Sequence, residues 1–177
     1  MQTTLLLIRH GETVDNVNKI MQGQTQGQLT TGGVEQARLL GERLKTRRID
    51  AFVSSDLRRA VDTCIEIAAP HFHSDRKAAL AAIFQTQLLR ERDWGSFTGR
   101  YIPDLKDAAW TDDIESAEAM QERARKFLEL MRSRYAGKTI AAVGHGIINK
   151  AIQAVFFGKP MSEIRRMENA EVRELPL

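Results

Sequence analysis

Three short apolar runs constrain the fold most strongly, because none of them alternates with polar residues. They are Leu5–Ile8, Ala51–Val53 and Ile140–Val143. Short runs without alternation are typical of strands that are buried on both faces of a parallel sheet. Two weaker strand candidates are Gln87–Arg90 and Ala170–Leu175, and the second of these alternates like a half-covered edge strand.

Segments with helical spacing of apolar residues lie between these runs. Helices are predicted over 30–46, 56–69, 116–135 and 147–157, with a short extra helix within 75–85. This alternation of strands and helices predicts an α/β three-layer sandwich, with a mostly parallel central sheet and helices on both faces. Cys64 falls on the apolar face of the second helix, so we expect it to be a core side chain and not a nucleophile.

Length and composition exclude several classes of protein. The chain has 177 residues, of which 42% are hydrophobic, and this predicts a single domain over 1–177 with its own core. A single cysteine excludes an intramolecular disulfide and a cysteine-cluster metal site. A net charge of +3 is too small to indicate a nucleic-acid partner, and no apolar run is long enough for a membrane partner. We expect a cytoplasmic protein, and the sequence leaves its oligomeric state open.

Imidazole and guanidinium side chains follow the ends of the three apolar runs. Arg9-His10-Gly11 follows the first run, Arg58-Arg59 comes shortly after the second, and Gly144-His145-Gly146 ends the third. In parallel sheets, ligands bind beyond the carboxyl ends of the strands. A turn that leads from a strand into a helix presents N–H groups to an anion, and arginine adds bidentate charge. The pattern therefore favours a phosphate site with two histidines, against the alternative that each histidine has only a structural role.

Zinc binding is the rival use of histidines. No neighbouring Asp or Glu completes an evident ligand set for His10 or His145. His71 and His73 have only Asp75 nearby, and we expect them to be solvated surface residues. The GxGxxG and GxxxxGK[ST] patterns are absent as well. We therefore expect neither a metal nor a cofactor, and a small phosphorylated substrate as the partner.

The segment Leu7–Thr13 resembles the signature of the histidine phosphatase superfamily, which includes the cofactor-dependent phosphoglycerate mutases. The resemblance continues in chain order from about residue 5 to 175. The further matching positions are Asn16, Leu29-Thr30 with Gly33, Ser54–Ala60, Leu89–Glu91, Glu115-Ser116, Arg123, Val143–Gly146 and Asn169-Ala170. In size the chain is most similar to the α-ribazole phosphatase and broad-specificity phosphatase members.

The resemblance implies a metal-independent transfer of a phosphoryl group to His10, which would become a phosphohistidine. It also implies that the motif's second arginine, Arg59 and not Arg58, binds the phosphoryl group. The side chains implied to hold the phosphoryl oxygens are Arg9, Asn16, Arg59 and His145. Charge stabilisation of this kind needs no metal.

The same resemblance implies that Glu91 protonates the leaving oxygen and then activates water. Glu91 must carry a proton for the first of these steps, so we expect its neighbours Arg90 and Arg92 to point away from its carboxyl group.

Three positions depart from the family pattern. Gln26 stands where the family often has Asp, Thr98 stands where Glu or Gln is common, and Ile114 replaces the glycine of a Gly-Glu-Ser motif. None of them removes a reacting group. Gln26 and Thr98 lie in segments that we expect to shape substrate contacts.

The resemblance leaves three activities to compare. Residues 100–115 are few for a mutase lid, and the chain ends soon after Asn169, so we favour phosphomonoester hydrolysis. The alternatives are a phosphoglycerate mutase-type transferase and a catalytically weak regulatory or binding protein on the same fold. We expect residues 92–115 to form a partial cap. Its aromatic residues either line the site or pack within the segment, and they are Trp94, Phe97, Tyr101 and Trp110.

Overall fold

A five-stranded sheet forms the centre of the computed structural model, which describes residues 2–177. The strands are β1 Thr4–Arg9, β2 Ala51–Ser55, β3 Ile83–Thr86, β4 Thr139–Gly144 and β5 Val172–Pro176. Their order across the sheet is β3-β2-β4-β1-β5, and only β5 runs antiparallel to its neighbour. The expected mostly parallel sheet is therefore confirmed, with β5 as its antiparallel edge.

Helices cover both faces of the sheet, which confirms the three-layer sandwich. The helices are α1 Val14–Asn18, α2 Thr31–Leu44, α3 Arg58–Ala68, α4 Arg76–Ala82, α5 Ala117–Arg134 and α6 Gly146–Phe157. Leu5 and Leu7 point into one core with α5 and α6, while Leu6 and Ile8 point into a second core with α2, α3 and α4. Burial on both faces explains why the β1 sequence does not alternate.

The burial of two side chains, Cys64 and Val34, can be compared with the apolar helix faces that the sequence predicts. Cys64 is fully buried in the second core, as expected, and burial raises the pKa of its thiol. Val34, which has helical spacing with the buried face of α2, is instead 39% exposed. It lies in the first turn of α2.

The prediction of a strand at Gln87–Arg90 is wrong. The strand lies earlier, at Ile83–Thr86, where it pairs in parallel with β2, and Gln87–Leu89 is a single 3-10 turn. The extra helix predicted within 75–85 exists, but it ends at Ala82. Thr86 ends the strand because its side-chain oxygen accepts a hydrogen bond from the Leu88 amide and so caps the 3-10 turn.

Residues 92–115 form an irregular segment beside the carboxyl edge of the sheet. Two 3-10 turns, Gly95–Phe97 and Ile102–Leu105, pack around a small apolar cluster of their own. Backbone hydrogen bonds of 2.8 Å join Gly99 to Met21 and Ile102 to Lys19. The segment is thereby fixed to the loop that follows α1.

No helix within residues 2–177 combines the length and the apolar character that crossing a bilayer requires.

Two glycines bring α2 against the turn that follows β1. A Cβ atom on Gly33 would overlap the backbone carbonyl of Glu12, and one on Gly11 would overlap the carbonyl of Gly33. Both clashes are with backbone, which cannot move aside as a flexible side chain can. Thr30 and Gln36 secure the same junction, because Thr30 donates its amide to the Glu12 carbonyl and Gln36 accepts the Glu12 amide.

We predict that Gly33→Ala lowers the free energy of unfolding by about 1–3 kcal/mol, the typical cost of overpacking a well-packed contact. Gly32→Ala is the matched control, because its Cβ would meet no atom closer than 3.6 Å in the same helical turn. Urea unfolding of both variants measures the difference. Equal stability of the two variants would show that the α2 junction is not tightly packed.

Candidate active site

Parallel pairing of β1 with β4 brings the two post-strand histidines together. Arg9 is paired with Gly144 in the sheet, so that the next residue of each strand is a histidine. The amide of His10 donates to the Gly144 carbonyl at 3.1 Å, and the ring centroids of His10 and His145 are 5.1 Å apart. The convergence expected from the sequence is therefore present in the structure.

The ring of His10 is oriented by its neighbour's backbone. Its Nδ1 lies 2.7 Å from the Gly11 carbonyl, which makes Nδ1 the donor and leaves the lone pair on Nε2. The Gly11 amide is held in turn by the hydroxyl of Thr63 at 3.0 Å. Burial, followed by the charges of Arg59 and Arg9, holds the pKa of His10 well below its ordinary value. The imidazole is thus neutral, with Nε2 able to act as a nucleophile.

His145 is fully buried beside His10. Neither of its ring nitrogens has a hydrogen-bond partner among residues 2–177. Burial, with a further contribution from the charge of Arg59, keeps its pKa well below the ordinary value. A buried imidazole of this kind has one N–H to donate, and a ligand oxygen is a suitable acceptor.

Two buried arginines are anchored by backbone carbonyls. Arg59 donates to the carbonyls of Gly23, at 2.8 Å, and Thr25, while Arg9 donates to the Met167 carbonyl at 2.7 Å. Burial lowers the pKa of each guanidinium to about 10, so both remain charged at neutral pH. The Nε atoms of Arg9 and Arg59 have no partner within residues 2–177. These two cations line a cavity and suit an anionic ligand.

Asn16 completes the polar lining on the α1 side. Its side-chain oxygen accepts from the Thr13 amide at 3.1 Å and from the Asn169 side chain at 3.2 Å. Asn169 also donates to the His10 carbonyl at 3.0 Å. Because its oxygen already has these two donors, the NH₂ group of Asn16 is the part left for an anion in the cavity.

Glu91 is positioned by the N-terminus of α6. Its carboxylate accepts from the amides of Ile147 and Ile148, both at 3.1 Å, and from the Arg92 amide at 2.9 Å. His145, the N-cap residue directly before this helix, makes no side-chain cap hydrogen bond, so Glu91 supplies the cap from outside the helix. Glu91 is only 7% exposed and lies at the same cavity as His10.

Arg90 and Arg92 point away from Glu91, as expected. Arg90 forms a bidentate pair with Asp56, with a shortest distance of 2.6 Å. The Arg92 guanidinium packs on both indole rings, at 4.8 Å from the centroid of Trp94 and 4.7 Å from that of Trp110. Their charges are therefore directed to other partners.

The turn that carries Glu91 is fixed from behind by Arg123. Its guanidinium donates to the carbonyls of Leu88 at 3.1 Å and Arg90 at 2.6 Å, and forms a bidentate pair with Glu115 at 2.9 and 2.8 Å. Both charged groups of the pair are largely buried. These contacts give a structural reason for the Glu115 and Arg123 motif positions, to which the sequence assigned no role.

The three departures from the family pattern have structural explanations. Gln26 was expected to shape substrate contacts, but its side chain accepts from the Arg58 amide at 2.9 Å and its carbonyl accepts from the Arg59 amide. It therefore supports the start of α3. Thr98 packs against Gly23, and Ile114 is buried in the apolar cluster of the 92–115 segment.

Arg9, His10, Asn16, Arg59 and Glu91 line an inner cavity with a volume of about 150 Å³. His145 is fully buried beside His10 and is not among the lining residues. Among the aromatic residues of the 92–115 segment, Trp94 lines the cavity and Phe97 packs in the apolar cluster of the segment. Sequence reasoning missed seven further lining residues, which are Ile20, Met21, Gln22, Gly23, Ile102, Ile147 and Arg166. For Arg166, the available signal was its place three residues before Asn169.

The expectation that His71 is a solvated surface residue is wrong. Its ring packs on Phe52 with centroids 5.3 Å apart, and burial lowers its pKa. The 3-10 turn Ala69–Phe72 follows α3 and brings the ring back over the end of the core. His73, in contrast, is exposed as expected.

The neutral state of His10 and His145 predicts a pH-dependent stability. Their folded pKa values are depressed, so below the ordinary value of 6.5 only the unfolded chain takes up their protons. The free energy of unfolding should therefore fall as the pH falls from 6.5 to 5, by up to about 1.4 kcal/mol per pH unit for each histidine.

Urea unfolding at several pH values measures this slope in the wild type and in a His10→Gln/His145→Gln variant. The free energy of unfolding of the variant should change less steeply with pH than that of the wild type, since carboxylates contribute equally to both proteins. Identical slopes would mean that the two histidines are protonated in the folded protein.

The chain is similar to known proteins over nearly its whole length. Residues 5–176 match the family profile of the histidine phosphatase superfamily, branch 1. A metal-independent phosphoserine phosphatase of Arabidopsis thaliana is 32% identical, with 85% of this chain and 67% of that protein covered. A probable phosphoglycerate mutase, GpmB, of Klebsiella pneumoniae (strain 342) is also 32% identical, with 91% and 78% covered.

A solved structure has the same fold. The mycobacterial glucosyl-3-phosphoglycerate phosphatase in complex with VO₃ has a TM-score of 0.84 at 25% identity, and the match covers 97% of this chain and 91% of that chain. The names of these similar proteins include both phosphatases and a mutase.

Proposed function

Because the chain belongs to branch 1 of the histidine phosphatase superfamily, we propose that it hydrolyses phosphomonoesters of small metabolites through a phosphohistidine intermediate. The observation that carries the proposal is the neutral imidazole of His10, oriented by the Gly11 carbonyl beside two buried arginines. A neutral imidazole with one protonated nitrogen has its lone pair on the other, as a nucleophile requires.

In the first half-reaction, Nε2 of His10 attacks the phosphorus atom and the bond from phosphorus to the ester oxygen breaks. The ester oxygen leaves with a proton that Glu91 donates, so an alcohol is released and Glu91 becomes a carboxylate. The phosphoryl group remains on His10. The hydrogen bonds to the N-terminal amides of α6 keep the Glu91 carboxyl group at the cavity during this step.

Charge that develops on the phosphoryl oxygens is stabilised by groups already in place. Arg9 and Arg59 supply fixed positive charge, and Asn16 supplies neutral N–H donors at the cavity wall. His145, beside His10, supplies a further neutral N–H that has no acceptor within residues 2–177. Groups whose positions are fixed before the reaction need no reorganisation during it. The carbonyl anchors of both arginines support this role.

In the second half-reaction, water attacks the phosphohistidine while the Glu91 carboxylate takes its proton. The phosphorus–nitrogen bond breaks, inorganic phosphate leaves and the neutral His10 is restored. The inner cavity shares its wall with a larger outer cavity of about 590 Å³, a geometry that favours access of water over retention of a phosphorylated product.

A mutase is the second candidate, and the similarity to GpmB favours it. The discriminating substrate is 3-phosphoglycerate. Release of inorganic phosphate with little 2-phosphoglycerate supports the hydrolase, and interconversion of the two esters without net phosphate release supports the mutase. A catalytically weak binding protein would do neither on a broad panel of phosphomonoesters.

We predict that His10→Ala abolishes hydrolysis of p-nitrophenyl phosphate, whereas the control His73→Ala retains it because His73 is an exposed residue outside the cavity. Wild-type turnover should persist in EDTA. Full activity of His10→Ala, or a requirement for an added metal ion, would contradict the proposed chemistry.

We also predict that the effect of Glu91→Gln depends on the leaving group. Loss of a general acid should slow hydrolysis of an alkyl phosphate such as glycerol 3-phosphate by about 10²- to 10⁴-fold. The rate of phosphoenzyme formation from p-nitrophenyl phosphate should fall much less, because p-nitrophenolate leaves without a proton. A burst of p-nitrophenol measured by rapid mixing reports this step. Equal slowing with both leaving groups would exclude Glu91 as the acid.

A further inference from the structure

Besides Arg9, three cationic side chains line the outer cavity, beyond the inner cavity that contains His10. They are Lys19 after α1, Lys106 in the 92–115 segment and Arg166 before β5, and the only acidic side chain that lines the cavity is Asp15. Within residues 2–177, none of the three cations forms an ion pair or donates a side-chain hydrogen bond to a protein atom. This contrasts with Arg9 and Arg59, which are held by carbonyls.

Arg166 borders both cavities. Its guanidinium lies over the first residue of α6, where a Cβ on Gly146 would come within 2.8 Å of Nε and 3.0 Å of one terminal nitrogen. The glycine that follows His145 therefore leaves room for this guanidinium at the edge of the inner cavity. The charge of Arg166 reaches the reacting groups too, since it lowers the pKa values of Arg9 and His10.

The surface between the inner cavity and the outer cations is partly apolar. Ile20 and Ile102 line both cavities, and Pro103 extends the outer one. A short carbon skeleton can lie on this surface while its phosphate is at His10. A guanidinium and two ammonium groups then lie where the far end of such a molecule would be.

We propose that Arg166, with Lys19 and Lys106, forms a subsite for a second anionic group of the substrate, a carboxylate or another phosphate. The inference rests on the proposed hydrolysis at His10 and specifies which phosphomonoesters are preferred. Hydrogen bonds to charged groups are the stronger ones in proteins, and arginine binds carboxylate and phosphate bidentately. The preferred substrates are small phosphomonoesters with a second negative charge a short carbon chain away from the first.

The test compares pairs of substrates that differ only in the second charge. 3-Phosphoglycerate is compared with glycerol 3-phosphate, and 1,3-propanediol bisphosphate with its monophosphate. We expect kcat/KM of wild type to favour the dianionic member of at least one pair by about tenfold or more, and the better pair identifies the second group. Because exposed charges are screened by salt, this ratio should decrease at high ionic strength.

Variants locate the subsite. Lys106→Gln should reduce the ratio severalfold while turnover of glycerol 3-phosphate changes little. Arg166→Gln should also reduce the ratio severalfold, because turnover of the dianionic substrate should fall much more than turnover of its partner, and Arg166→Lys should restore part of the ratio. Lys77→Gln, on α4 at the β3 edge of the sheet, is the control that leaves the ratio unchanged. A purely structural role of Arg166 would lower both rates equally, and that result overturns the proposal.

Failure of this inference is separable from failure of the proposed function. Hydrolysis of p-nitrophenyl phosphate without any preference in either pair overturns the subsite alone. Absence of turnover on every substrate overturns the proposed function, and calorimetric binding of 3-phosphoglycerate and glycerol 3-phosphate to wild type then decides the subsite. Equal affinities of wild type for the two ligands would contradict the subsite. Tighter binding of 3-phosphoglycerate than of glycerol 3-phosphate, with the difference lost in Arg166→Gln, would support it.

Discussion

The pairing of β1 with β4 is the constraint on which the site depends. Since Arg9 is opposite Gly144, the chain leaves both strands at the same height and the next residue of each is a histidine. A shift of one strand by one residue would turn every side chain to the opposite face and separate the two rings. Burial of alternate residues in two different cores prevents such a shift, so the hydrophobic core fixes the spacing of the two imidazoles.

Electrostatics around this pair depend on the backbone more than on ion pairs. Carbonyl groups hold both arginines, another carbonyl sets the tautomer of His10, and the amides of α6 hold Glu91. Arg90, next to Glu91 in the sequence, is paired with Asp56 instead of with Glu91. A site built in this way keeps strong positive charge in a buried place while the nucleophile stays neutral, and this combination suits attack on a phosphoryl group.

The sequence predicted the parts of the fold and site that local pattern determines. Unbroken apolar runs identified β1, β2 and β4, and the post-strand residues identified His10 and His145. The post-strand position left Arg58 and Arg59 open, and the family resemblance selected Arg59. The sequence misplaced β3, because the strand is short and half-exposed, and its Ile83–Thr86 sequence follows a helix without a turn signal. Arg166 was missed for a different reason. Its place three residues before Asn169 puts it near the site, but its contact with Gly146 joins segments 20 residues apart, and the local pattern does not show that contact.

The most direct measurement is the capture of a phosphoenzyme that is stable in alkali and labile in acid. Wild type is mixed rapidly with labelled phosphomonoester, denatured in alkali, digested and analysed by mass spectrometry. A neutral nucleophile at His10 predicts one phosphoryl group on the peptide that contains His10, stable in alkali and lost in acid, and its absence from His10→Ala. Phosphate on another residue, or turnover with no phosphoenzyme during rapid mixing of either wild type or Glu91→Gln, would contradict a phosphohistidine at this site.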